Sequence, residues 1–328
     1  MKTIDSFAGS LHVNSKALSW HPLCSVGDLW VKHRLKRGTG GEIEKSMTQT
    51  DVSLCFPDDQ KTCFACCPPI RPSAYEHIQF KNTVKRVLRE NTAAFDQQDR
   101  AVHPIRGFSC WALGYLDMRH RLVGCLLHPA RNRGIDLRFR VDYGDKCRRE
   151  TCPEAQVFLT LGIDEKAFWL HLADGLESFA YSSRKANPLF ELMGWGSSLL
   201  NLIPSVEGHR PFDRKSFFET YPFFSTKVRS KANVYLINRL VGRANIHLLK
   251  AALFRDDFER LSERISTRLN RRGPEKSGDP YVHRLPIDPD FQNLLRLSAR
   301  IPRISLKGAL RLKEMVDEEL DKFSSSLS

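Results

Sequence analysis

Residues 55–69 read CFPDDQKTCFACCPP and put four cysteines, two of them adjacent, into one short stretch. The chain of 328 residues holds nine cysteines, and eight of them lie between Cys55 and Cys152. They are Cys55, Cys63, Cys66, Cys67, Cys110, Cys125, Cys147 and Cys152, which leaves only Cys24 outside. Cysteines used as small core hydrophobes scatter along a chain, and these do not. The opening residues lack the continuous apolar core of a secretory signal. No stretch is apolar for long enough to cross a membrane, since the richest, residues 187–204, carries Glu191 and two glycines. The expected compartment is therefore the cytoplasm, with no membrane partner. Thiols stay reduced there, and their clustering points to metal.

A tetrahedral zinc site takes four thiolates or imidazoles at about 2.0–2.3 Å, and short spacers supply them in pairs because a turn aims two side chains at one ion. Cys63 and Cys66 form such a pair, with Cys67 one residue on and Cys55 within reach through the intervening loop. Cys147 with Cys152 and Cys110 with Cys125 supply two more pairs, and His128, three residues after Cys125, is a reserve ligand. The expected halves are Cys55, Cys63, Cys66 and Cys67 against Cys110, Cys125, Cys147 and Cys152, with their division between ions left open. Eight thiolates fill two zinc sites, or one zinc site and one iron–sulfur cluster. The cysteine run of bacterial ferredoxins is missing, so zinc is placed first and iron or a 4Fe-4S cluster second. A thiol–disulfide reading of Cys63 and Cys66 has the wrong surroundings, because a loop precedes the pair and Cys67, Pro68 and Pro69 follow it.

The doublet Cys66-Cys67, with Cys110-Trp111-Ala112-Leu113 and Cys125 after it, resembles the YkgJ-type cysteine-cluster family over about residues 55–131. That family is described as a zinc- or iron-chelating domain, so the resemblance implies chelation and no particular reaction. The chain departs from the family pattern at His128-Pro129, where a tyrosine and Arg-Pro are expected. No cysteine follows until Cys147, so Cys147 and Cys152 rest on spacing alone.

The remainder reads as mainly α: an irregular metal-stabilised cysteine-rich module plus a helical domain. Residues 1–51 are expected to be a flexible leader, and residues 52–153 the cysteine-rich module. Residues 154–272 are expected to be the helical domain, and residues 273–328 a linker and C-terminal helical segment. Ser73 and Glu76 have the form of a capping box for a helix over about residues 74–94, with an apolar stripe of Ile78, Phe80, Val84, Val87 and Leu88. Pro153 suits a first helical position. Asp164 and Asn187 are expected caps, and Gly162 and Gly194 expected stops. Residues 229–272 form one long helical pattern with a break near Gly242 or Arg255, and a last helix is expected over about residues 307–323.

The net charge is +13, and residues 227–276 carry 13 Lys/Arg against 5 Asp/Glu. Charge of this kind is the footprint of nucleic acid, but the aromatic interleaving and the modules of nucleic-acid binders are missing. A packed helix with a solvated basic face accounts for it, and nucleic acid stays a weakly supported alternative beside an unidentified protein partner. No phosphate loop, dinucleotide fingerprint or hydrolase motif occurs. Asp58-Asp59 reads as a turn, His171 as a satisfied helix histidine, and Arg131 and Arg133 as surface charge. The sequence leads to a metal-chelating protein whose metal is chiefly structural, with catalysis left open.

Overall fold

The computed structural model describes residues 52–67, 76–106, 109–129, 131–149, 152–271 and 279–327. The expected leader, Cys24, the Ser73 cap and the start of the expected linker lie outside them. The described residues are mainly helical, and their strand content is one antiparallel hairpin, β1 (Leu113–Tyr115) and β2 (Val123–Cys125). Before it comes α1 (Lys81–Ala94), and after it α2 (Gly144–Arg149), α3 (Pro153–Leu159), α4 (Ile163–His171) and α5 (Ser178–Tyr181). There follow α6 (Leu189–Met193), α7 (Ser197–Val206), α8 (Arg214–Thr220), α9 (Ser230–Leu240), α10 (Ala252–Asn270), α11 (Pro289–Asn293) and α12 (Leu306–Leu327). No helix among the described residues is long and apolar enough to cross a membrane.

α1 starts later than its sequence period suggests. Residues His77–Phe80 form a 3-10 turn ahead of it, and at three residues per turn they fall out of phase with the α-helical stripe. Ile78 and Phe80 consequently face solvent, while Val84 and Leu88, four apart, are fully buried. The buried face of α1 presses on the hairpin. Asn91 Nδ2 donates to the carbonyls of Cys110 at 3.0 Å and Leu113 at 2.9 Å, and the Tyr115 amide donates to Thr92 Oγ1 at 2.8 Å. A Cβ on Gly114 would sit 2.6 Å from Thr92 Oγ1 and 2.7 Å from Leu126 Cδ1, so only glycine admits this approach. In the hairpin Leu113 faces Cys125, Gly114 faces Gly124 and Tyr115 faces Val123.

Two apolar cores result. The smaller gathers Phe64, Val84, Leu88, Leu113, Leu127 and Phe179. The larger lies among the later helices around Trp169, Trp195, Phe217, Phe223, Phe258 and Phe291. Helix starts follow the sequence only in part. Pro153 opens α3 as expected. Gly162 stands at the N-cap of α4, not at a stop, and Asp164 lies in its first turn. Asn187 caps one residue outside the α6 N-cap, its Oδ1 accepting the Leu189 amide at 3.0 Å, and Gly194 ends that helix. The long pattern breaks at Gly242, where Asn245 accepts the Gly242 amide and donates to the Leu240 carbonyl, each at 2.7 Å. It breaks again at Ala251, between the 3-10 segment Arg243–Lys250 and α10. The last helix runs four residues beyond its expected end.

The short helix α5 ties the early cysteine segment to the helical half. Ser178 Oγ accepts the Thr62 amide at 3.1 Å and donates to the Arg121 carbonyl at 2.6 Å. Ser182 Oγ accepts the Phe64 amide at 2.9 Å and donates to the Thr62 carbonyl, and the Tyr181 hydroxyl donates to the Leu54 carbonyl at 3.0 Å. These are buried polar groups that need partners, and each finds one on the other segment.

Candidate metal centre

The first cysteine segment is shaped by local bonds. The Cys63 amide donates to the Cys55 carbonyl at 2.9 Å and closes a loop. Inside the loop Asp58 Oδ1 accepts the amides of Gln60 and Lys61, at 2.8 and 2.9 Å, and its other oxygen pairs with the buried Lys61 ammonium. Asp58 therefore shapes a turn, and Asp59 accepts from Gln60 Nε2. A second turn follows, with the Cys67 amide donating to the Phe64 carbonyl at 3.1 Å. His77, fully buried, packs its ring 4.4 Å from that of Phe64 at a tilt of 55°, and its Nε2–H faces the carbonyls of Cys67 at 3.1 Å and Phe64 at 3.3 Å. His77 is a support for the doublet that spacing does not reveal, because it lies ten residues past Cys67 and carries no ligand motif.

The other four cysteines come from three further elements. Cys110 begins a turn that ends at β1, and Cys125 closes β2 opposite Leu113, so the hairpin draws the two together. Cys147 lies on α2, its carbonyl receiving Arg138 Nη1 at 3.3 Å, and Arg138 in turn grips Asp136. Cys152 is the N-cap of α3.

Packing divides the sulfurs differently from their order in the chain. Cys55, Cys63 and Cys152 pack against the larger core, and Cys67, Cys110 and Cys125 belong to or pack against the smaller. Cys66 alone among the described cysteines is exposed, and none of the eight forms a disulfide. The acidities are raised on both sides, and Cys66 acts on thiols of each. Burial pushes Cys55 up to about 11, and nearby Cys66 adds to it. Burial raises Cys152 to about 12 against the Ala155 amide, with Glu154, Cys55 and Cys66 reinforcing the rise. Cys63 stands well above the usual thiol range through burial, with Cys55, Cys66 and Cys152 as its sulfur neighbours. On the other side burial takes Cys110 to about 11 and Cys125 to about 12, and Cys147 is a neighbour of both. Cys67 is raised first by its hydrogen bond with Cys66 and then by burial, with Cys125 and Cys110 adding. Packing thus sets Cys55, Cys63 and Cys152 on one side and Cys67, Cys110 and Cys125 on the other, with Cys66 a neighbour of sulfurs on both sides.

Raised thiols are poor nucleophiles, since a reactive cysteine needs a lowered pKa. This speaks against a thiol–disulfide role for Cys63. It suits a site that ionises only when a cation arrives, because a bound metal is the largest local charge and deprotonates its thiols. The donor set, all sulfur, fits zinc or a 4Fe-4S cluster. As the side chains stand, no three His, Cys, Asp or Glu groups among the described residues close around a point that could hold an ion. The sulfurs are gathered without being converged.

The remaining candidates have structural partners. His128, half-buried and 6.2 Å from the Phe56 ring, has its pKa lowered by burial and then by Arg138. His171 pairs with Asp174 at 2.8 Å, His103 with Asp99 at 2.6 Å, and His120 stacks on Tyr115. Arg131 donates to the Leu116 carbonyl at 3.0 Å, and Arg133 occupies a left-handed turn position. In the basic segment Lys250 pairs with Glu207 at 2.7 Å, Arg255 with Asp256 at 2.7 Å, and Arg264 and Arg268 with Glu319. An open groove of about 530 Å³ along α10 is lined by Arg260, Glu263, Arg264, Thr267, Arg268 and Arg271, so acidic partners offset much of its charge.

No protein-family model matches the chain, and no curated protein or solved structure matches it.

Proposed function

We propose that this chain is a metal-chelating cysteine-cluster protein, with zinc held by Cys55, Cys63, Cys66, Cys67, Cys110, Cys125, Cys147 and Cys152. What supports the reading is that eight thiols, none in a disulfide, come from separate segments, with three packed against the larger core and three in or against the smaller. Such gathering costs burial of ionisable groups and stabilises little by itself. Bound zinc would supply the tie between segments that a small irregular module otherwise lacks.

The chain's own residues have definite parts in this reading. Asp58 and His77 hold the two turns that carry Cys55 to Cys67. The hairpin brings Cys110 to Cys125, and α5 fixes the whole segment to the helical half. The role is structural, in a cytoplasmic protein that works through a partner, and no reaction is assigned.

The test is metal content by mass spectrometry, with an absorption spectrum, on tag-free protein purified without oxygen. About one or two zinc ions per chain and no visible band are expected. Iron with sulfide and a broad band near about 400 nm would transfer the same ligands to a 4Fe-4S cluster. Protein that holds neither metal would end the reading.

A further inference from the structure

A run of unopposed positive charge lies outside the segment 227–276. Residues 291–313 carry Arg296, Arg300, Arg303, Lys307, Arg311 and Lys313 and no acidic residue. Of these six only Lys313 pairs with a carboxylate among the described residues, that of Asp317 at 2.7 Å. Arg296, Arg300, Lys307 and Arg311 are exposed, and Lys307 and Arg311, four apart, share one face of α12. Arg300 stands at φ 53°, a left-handed position that glycine occupies without strain, so the chain keeps a cation there against its backbone preference.

The aromatic group missing from the basic stretch in sequence is supplied from before it. The Val282 amide donates to the Pro302 carbonyl at 3.0 Å and the Ile304 amide to the Pro280 carbonyl at 3.1 Å, which sets Tyr281 directly opposite Arg303. In an antiparallel pair whose bonds lie on the flanking residues, the two opposed side chains come closest. The Arg303 guanidinium accordingly lies 3.9 Å from the centre of the Tyr281 ring. The 3-10 turn Val282–Arg284 brings two more planar groups to the same ring. His283 stacks at 5.5 Å between centroids, and the Arg284 guanidinium lies at 5.6 Å. The ring is still 38% exposed.

We propose that Tyr281, Arg303, Arg284 and His283 form a binding surface for single-stranded nucleic acid, with Arg300 and Lys307 meeting its phosphates. Aromatic rings and guanidinium planes both stack on unpaired bases, and every base offers a face. A duplex keeps its bases stacked on one another, and an acidic polypeptide has no use for the ring. The surface is separate from the cysteines and needs no metal.

The experiment is fluorescence anisotropy of full-length protein with labelled oligouridylate, oligothymidylate and a duplex, each of about 20 nucleotides per strand so as to exceed one site. Salt is varied between about 50 and 200 mM, and affinity is expected to fall linearly with its logarithm. Both single strands are expected to bind more tightly than the duplex, and the tighter of the two names the natural strand. Tyr281→Ala is expected to weaken single-strand binding about 5- to 150-fold, the worth of one stacked base, with the salt slope unchanged. Tyr281→Phe keeps the affinity. Arg300→Gly relieves its own backbone, so it tests the surface without threatening the fold, and is expected to lower the slope by about 0.7, one phosphate. Duplex bound as tightly as single strand, Tyr281→Ala as tight as the parent, or an unchanged slope in Arg300→Gly overturns the surface. Polyglutamate that displaces the label as well as unlabelled oligouridylate does would reduce it to a plain anion patch, and no binding at the lowest salt would end it. All of these results leave chelation standing, because metal content is expected to be the same in every variant.

Discussion

The Ala155 amide donates to Cys152 Sγ at 3.4 Å, so one proposed metal ligand is also the cap of helix α3. A serine there keeps an oxygen cap, and an alanine does not. With zinc removed by a chelator, Cys152→Ala is expected to be less stable than Cys152→Ser by about 1 kcal/mol, the usual worth of an N-cap. Urea unfolding of both variants measures this, and equal midpoints would show that the sulfur does no capping.

Cys66→Ser is expected to lower bound zinc and loosen the module, while Cys24→Ser leaves metal content unchanged. Metal analysis beside limited proteolysis compares them. Equal zinc in the two variants would remove Cys66 from the ligand set.

His77→Ala strips the donor from the Phe64 and Cys67 carbonyls and opens space beside the Phe64 ring. The Phe64 carbonyl keeps the Cys67 amide, so the Cys67 carbonyl is the acceptor that loses its His77 donor, and the expected loss of stability is about 1–3 kcal/mol. Thermal melting of metal-free protein checks it without involving the ligands.

Gly114→Ala places a methyl group against Thr92 Oγ1 and Leu126. Overpacking of this kind costs about 1–3 kcal/mol, here by lifting α1 from the hairpin. A variant as stable as the parent would mean that this contact has slack.

Far from the cysteines, Glu207 receives Lys250 at 2.7 Å and the Tyr221 hydroxyl. Burial pushes its carboxyl up, but these two donors outweigh it and hold the acid below its ordinary 4.5. The resulting stability is present above about pH 4.5 and is lost as the pH falls through the lower folded value. Glu207→Gln is expected to be less stable at neutral pH and to lose less on acidification. Unfolding curves between pH 3 and 7 that run parallel for the two proteins would contradict this.

What the sequence disclosed was mostly local. The helix opened by Pro153, the break at Gly242 and the last helix each depend on residues close in the chain, and their signals survived folding. The phase of Ile78 and Phe80 failed because a 3-10 turn has a different period from the helix it precedes. The eight cysteines stood out by clustering, but their grouping did not. Spacing joins Cys67 to Cys55 and Cys63, whereas packing sets Cys67 on the smaller core and Cys152 beside Cys55 and Cys63 on the larger, and only tertiary contacts carry that information. The hydroxyls of Ser178 and Ser182 were equally silent, since serine is common and the amides they accept lie more than a hundred residues away.

That last separation has a consequence during synthesis. Phe64 finds its partner at Ser182, 118 residues later, so at about 5–20 residues per second the ribosome needs roughly 6–24 s to deliver it. For that interval the early thiols are outside the tunnel while their seat on α5 is still being made. In the chelation reading proposed above, a nascent chain of this design would spend those seconds as an open chelator, and whichever soft metal is most available then would compete for the sulfurs first.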